Sequence, residues 1–209
     1  MYFSLFMVAI LIAMSAISYY YSYQNMRERT IADTTVVLSQ VGKNIGRYIT
    51  NAKDITGIIN ANTDIIDTLQ EDKFYNDTQK LLARRSYERF LKDIPKIGDG
   101  IVSVFIFGKD NIPIYVQDGL AMKTDYDITQ DEWFKKVQDD TSGECEITGT
   151  SVRVMTKTNN PWVISLSRRI VDENNEVVGT LLLELNYAVI DSILSDINLG
   201  SKGYVFIAG

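Results

Sequence analysis

The spacing of hydrophobic positions changes twice along the chain. Tyr2 to Tyr21, YFSLFMVAILIAMSAISYYY, carries no charged residue. Some twenty residues at a rise of about 1.5 Å cross a hydrocarbon layer of about 30 Å. Tyr19, Tyr20, Tyr21 and Tyr23 close this stretch with rings whose polar tips suit a membrane–water interface. The pattern predicts a transmembrane helix over residues 1–23. It is preferred to a cleaved signal peptide, whose basic leader is missing here, and to a buried core helix.

Val37, Val41, Ile45, Tyr48, Ala52, Ile55 and Ile59 then recur at steps of four and three, lining one helix face with Lys43, Arg47 and Asp54 opposite. ANTDIIDTLQ restarts the pattern behind Asn62 or Thr63 as a cap. A third helix is expected from Asp77 to Ile94, carrying Leu81, Leu82, Tyr87, Phe90 and Leu91 and ending at Pro95. Residues 24–98 thus read as a helical stalk together with helices that pack on a sheet; three short core helices are the alternative.

From Gly100 the period falls to two. IVSVFIF, a Gly-Lys-Asp-Asn turn and IPIYVQ predict a hairpin, with Pro113 placing its strand at an edge. TQDEWFKKVQDD reads as a short helix with Thr129 as cap and Glu132 completing a capping box. CEIT, SVRVMT, WVISLSRRI and VVGTLLLELNY come next as strands, separated by turns at Thr148–Thr150, Asn159–Pro161 and Asp172–Glu176. Five or six antiparallel strands with flanking helices make an α+β domain. Tyr204 to Ile207 opens one more strand, which either closes this sheet or belongs to something longer.

Pairing the last two long strands about the Asp172–Glu176 turn sets Trp162, Ile164 and Leu166 opposite Leu185, Leu183 and Leu181. Ser165, Ser167, Thr180, Leu182 and Glu184 then share the other side. A three-residue Asn-Asn-Pro loop brings Arg153 opposite Ser167, and a loop shorter by one residue would flip it. With Tyr126, Trp133 and Phe134 nearby, that side suits a small polar or zwitterionic ligand. A guanidinium grips a carboxylate and a carboxylate receives an ammonium. The alternative is a plain Arg153–Glu184 pair on a solvated face, with Trp133 as a core anchor.

Composition narrows the chemistry. The balance is acidic, 21 Lys and Arg against 27 Asp and Glu, and no basic stripe exists to meet nucleic-acid phosphates. There are no histidines, which removes imidazole acid–base catalysis, a Ser-His-Asp triad and His-containing metal sites. Cys145 is the only cysteine, so no intrachain disulfide forms. The acidic pairs Asp131/Glu132, Asp139/Asp140 and Asp172/Glu173 lack any nucleophile, phosphate-loop or calcium-loop context, and Asp110 sits in a simple turn. No catalytic residue, metal or cofactor is expected.

The stretch WVISLSRRIVDENNEVVGTLLLELNYAVIDSIL followed by LGSKGYVFIAG resembles the extracytoplasmic double Cache region of YesM-like bacterial sensor histidine kinases. The resemblance lies in I-S-x-S-R-x-I, an acidic turn, V-x-G-x-L-L, L-N-Y and L-G-x-x-G-Y-V-F-I. DEWFKKV is similar to the helix that carries an aromatic pair over the ligand pocket. The resemblance implies a PAS-like, membrane-distal Cache module over residues 99–198, with 199–209 as the first strand of a truncated membrane-proximal module. It also implies a homodimer at the bacterial cell membrane with the sensor outside, and a kinase acting on a cytoplasmic response regulator. Arg27 and Arg29 alone would favour a cytoplasmic domain, but long domains translocate largely regardless of such charges. A chemoreceptor or cyclase with the same outer module is the rival, or a structural domain without a small-molecule ligand. Amino-acid-binding members show an Arg-x-Trp-aromatic motif and an aspartate near the final distal strand. Trp133 and Phe134 match the aromatic pair, Asp131 stands in the arginine's place, and Glu184 stands about where the aspartate would be. Tyr126, Trp133, Phe134, Arg153, Ser165, Ser167 and Glu184 are therefore the candidate ligand-binding residues.

Overall fold

The computed structural model describes residues 2–70, 76–98, 100–111, 113–116, 123, 126–140, 142–153, 155–156 and 162–195. These residues fall into two units, one of residues 2–44 with 194–195 and the other within residues 45–193. In the first, the leading part of α1 (Tyr2–Asn60) exposes its large apolar side chains from Tyr2 to Tyr23. Among the described residues α1 is the one helix long and apolar enough to cross a membrane. The strand expected at Tyr204–Ile207, like the whole of 199–209, lies outside the described residues.

The second unit holds the sheet. The rest of α1 buries Ala52, Ile55, Thr56 and Ile59, the face that the four-and-three spacing marks out. Asn62 caps α2 (Thr63–Leu69) by accepting the Ile65 N–H at 3.2 Å, and Asn76 caps α3 (Asp77–Ile97) through the Gln79 N–H at 2.9 Å. α3 does not end at Pro95 as expected. The ring removes a single N–H one turn from the helix end, and the Gly98 N–H still reaches the Ile94 carbonyl at 3.1 Å.

Five antiparallel strands complete the unit: β1 (Ile101–Gly108), β2 (Pro113–Val116), β3 (Glu146–Val152), β4 (Trp162–Val171) and β5 (Val177–Asn186). α4 (Glu132–Asp139) lies between β2 and β3 in sequence, and α5 (Tyr187–Ser195) comes after β5. The order β2-β1-β5-β4-β3 puts Pro113 at the first residue of an edge strand, a position where proline is tolerated. CEIT and SVRVMT are not two strands. Glu146 to Val152 is continuous, and the glycine read as a turn is a bulge: Thr148 pairs with Ser165 and Thr150 with Ile164, leaving Gly149 over.

The β4–β5 register differs by two from the expected one. Ile164 faces Leu185, Leu166 faces Leu183 and Arg168 faces Leu181. Asn175, left-handed at φ 63°, and an extra residue at Val178 lengthen the β5 side of the turn. A shift of two keeps every side chain on its face, so the division into two faces survives. Val104, Ile106, Leu166, Ile170, Leu181 and Leu183 are fully buried on the side that meets the helices, where Leu69 of α2 comes up to Gly179. On the other side Phe105, Phe107 and Leu182 pack with Ile128, Trp133, Phe134, Val137 and Met155.

α4 is held to that second face at its carboxyl end. The Arg169 guanidinium, on β4, donates from Nε to the Val137 carbonyl at 2.8 Å and from a terminal nitrogen to the Gln138 carbonyl. A cation there answers the partial negative charge of the last turn. Arg169→Met is expected to cost about 1–3 kcal/mol, read from the urea unfolding midpoint, because charge-assisted bonds to two orphan carbonyls disappear. An unchanged midpoint would show that water replaces the guanidinium without loss.

Candidate functional site

One row of side chains runs across four strands on the α4 side. Thr148 on β3 pairs with Ser165 on β4, Ser165 with Glu184 on β5, and Glu184 with Ser103 on β1. All four are buried, at 7%, 3%, 2% and 0% exposure. Polar groups removed from water need partners, so each raises the question of what satisfies it.

Arg153 answers for Glu184. It lies one residue beyond the end of β3, and its Nε sits 2.7 Å from Glu184 Oε2 with both side chains nearly sealed from solvent. A terminal guanidinium nitrogen donates to Ser103 Oγ at 3.1 Å, and the Ser103 hydroxyl in turn donates to Glu184 Oε2. The three groups form a closed triangle. The expected placement of Arg153 opposite Ser167 is corrected: Glu146 holds that position, because β3 pairs through Glu146–Val152. The pair foreseen on a solvated face does form, but it is buried. Burial pushes the Glu184 carboxyl up, Arg153 pulls it back only in part, and Asp131 adds to the upward push.

The wall facing this row comes from the start of α4. The expected Thr129 capping box is absent: Thr129 belongs to a 3₁₀ turn, Ile128–Gln130, where the Asp127 carboxylate accepts its N–H at 3.0 Å and its hydroxyl at 2.7 Å. Asp131 occupies the N-cap of α4 without capping it through its side chain. Its two oxygens instead accept the Tyr126 hydroxyl at 2.5 Å and the Trp133 indole N–H at 2.9 Å. Burial first, then this bond to a carboxylate, raises the Tyr126 phenol above its ordinary value. The Trp133 ring meets Phe134 edge-on at 5.5 Å and Phe107 at 5.9 Å, so it is held on several sides.

A cavity of about 110 Å³ lies between these parts, lined among others by Asp131, Trp133, Thr148, Arg153, Ser165 and Glu184. Four of the sequence candidates, Trp133, Arg153, Ser165 and Glu184, therefore meet around one space. Tyr126 reaches it only through Asp131. Phe134 turns into the apolar cluster, and Ser167 donates to the Trp133 carbonyl at 3.5 Å. Two participants, Thr148 and Ser103, are not singled out by the sequence, and Asp131 is noted there only as a departure from the motif. Ser103 carries a signal, as the lone polar residue in IVSVFIF. Thr148 is hidden by the turn assigned to what is a bulge. Its Oγ1 is buried in the cavity wall without a hydrogen-bond partner.

A five-stranded antiparallel sheet in this order, with a long amino-terminal helix and a walled polar pocket, defines a PAS-like sensor fold. The Cache domain family profile matches residues 22–209, and the chain belongs to that family. Among solved structures, the ligand-binding domain of the Campylobacter jejuni chemoreceptor Tlp3 in complex with L-valine superposes with a TM-score of 0.63 at 13% identity, over 83% of this chain and 66% of that one. A domain of a sensory box/GGDEF family protein from Vibrio parahaemolyticus gives 0.63 at 14%, over 82% and 66%. The Pseudomonas fluorescens chemoreceptor CtaA with L-isoleucine gives 0.54 at 11%, over 76% and 57%. These are likenesses of fold, and the chain spans just under two thirds of the Tlp3 domain. No match was found among curated protein sequences.

Proposed function

We propose that this chain is the extracytoplasmic sensing region of a membrane-anchored receptor, binding a small polar ligand in the cavity between α4 and the polar row. The observation that carries the reading is the cavity itself, walled by a sealed ion pair, an indole and hydroxyls from separate strands. Ligand sites are concave, with a few placed polar groups in a mainly apolar wall. The Cache family and the amino-acid complexes of Tlp3 and CtaA support a small ligand. The likeness of Trp162–Ile207 to YesM-like receptors favours a dimeric sensor histidine kinase as the whole protein, with α1 and α5 carrying the signal. The alternative is a chemoreceptor or a cyclase with the same outer module; the structural neighbours come from chemoreceptors and from a sensory box/GGDEF family protein. Transfer of phosphate from ATP to a response regulator in membranes that carry the protein would favour the kinase over these.

The test of binding is a thermal-shift screen of the whole chain in mild detergent against amino acids, organic acids, amines, sugars and short peptides. A ligand present at a hundred times its dissociation constant stabilises by about 2.7 kcal/mol, or roughly 5–10 °C for a domain of this size. The shift is expected to shrink in Ser165→Ala, which removes one hydroxyl from the wall with little volume change. Failure of every compound would favour a structural role or a protein partner.

A further inference from the structure

We infer that the cavity takes a small organic cation, an amine carrying no carboxylate, rather than a zwitterionic amino acid. The inference rests on the binding reading above and names the ligand class for the same site. A zwitterion needs a cationic grip for its carboxylate and an anionic grip for its ammonium. Here the one guanidinium in the wall is committed: Arg153 lies against Glu184 and donates to Ser103, inside a triangle closed by the serine hydroxyl. Glu132, the outer carboxylate, pairs with Lys136 at 2.8 Å.

What remains uncommitted is acceptor capacity. Each Asp131 oxygen accepts one bond, from Tyr126 or Trp133, and a carboxylate oxygen has two lone pairs. Thr148 Oγ1, on the opposite wall, is sealed and has no hydrogen-bond partner among the described residues. An ammonium in the cavity would supply N–H donors to Asp131, beside the Trp133 indole, whose ring face attracts cations. The amino end of α4 contributes a partial positive charge to this region, about half a unit. The Asp131 carboxylate, at the N-cap, offsets that. The small volume, near 110 Å³ against roughly 300–1,000 Å³ for drug-sized sites, limits the ligand to a few carbons on the Trp133 and Met155 wall.

Isothermal titration of the whole chain in mild detergent at pH 7 tests this with three probes sharing one apolar group: isobutylamine, L-valine and 3-methylbutanoate. Isobutylamine should bind at least tenfold tighter than L-valine, and 3-methylbutanoate should give no heat of binding. Asp131→Asn, nearly identical in shape, should weaken isobutylamine at least tenfold while the melting temperature of the free protein stays within a few degrees. L-valine binding as tightly as the amine, any binding of 3-methylbutanoate, no binding of isobutylamine, or an Asp131→Asn variant with unchanged affinity would each overturn the inference. If a sugar, peptide or amino acid from the wider screen binds in the cavity instead, the cation is wrong and the sensor reading stands. If no compound of any class binds, both fall.

Discussion

Replacing Arg153 by methionine is expected to destabilise the folded module by about 3–5 kcal/mol at pH 7.5, and replacing Glu184 by leucine in the same chain is expected to recover most of that loss. The single change leaves a carboxylate sealed in the sheet with only Ser103 for company. Removing both charges leaves an apolar pair of similar volume, which costs little or nothing. The pH dependence separates this account from simple loss of packing. A carboxyl whose folded pKa is raised holds its proton more tightly in the native state than in the unfolded chain. Its stabilising contribution is full below the unfolded value of about 4.3 and is lost as pH rises through the folded value. Without Arg153 the Ser103 bond is left to oppose the upward push of burial, so the variant should gain stability relative to wild type between pH 7.5 and pH 5. Urea unfolding at the two pH values measures it. A deficit that is the same at both, or that the second substitution does not repair, would mean that Arg153 acts through packing.

Phe107→Ala should cost about 3–5 kcal/mol, while Phe107→Leu should cost about 1.5 kcal/mol or less. Phe107 is wholly buried, stacked 6.3 Å from Phe105 and 5.9 Å from Trp133. Its ring is the floor on which α4 rests, and the backbone around it is packed too closely to collapse: a Cβ at Gly179 would come within 2.5 Å of the Phe107 carbonyl. The cavity left by alanine should therefore stay open, and Trp133 should lose one wall. Of the two tryptophans, Trp162 is already 54% exposed. A red shift in tryptophan emission below the unfolding transition would thus report on Trp133. Unchanged emission together with a small loss of stability would place the support of α4 elsewhere.

The helical face of α1, the β1–β2 hairpin and the two-faced β4–β5 ladder are legible from spacing alone, since burial on one side imposes a period of 3.6 or 2. The register of β4–β5 is not, because Asn175 and Val178 lengthen the turn in a way composition does not announce. That difference is harmless, being an even number of residues. At Gly149 the ambiguity matters more. A glycine between threonines reads equally as a turn or a bulge, and only the pairing with β4 decides. Reading it as a turn misplaces Arg153 and hides Thr148. Asp131 departs visibly from the amino-acid-binding motif, but its engagement with Tyr126 and Trp133 is a tertiary fact. Pro95 stops no helix because its ring removes one N–H close to the helix end, while the Gly98 N–H still reaches the Ile94 carbonyl.

The polar row belongs to no continuous piece of the chain. Ser103 and Glu184, which touch, stand 81 residues apart in sequence. A cut at the exposed Asp172–Glu176 turn would divide the row unequally, one fragment bearing Ser103, Thr148, Arg153 and Ser165 and the other Glu184. Neither fragment alone holds a neutralised pair or a complete cavity wall. Their complementation would rebuild both at once, which makes this turn the natural place to split the module into a two-part reporter whose reassembly is driven by the ligand it senses.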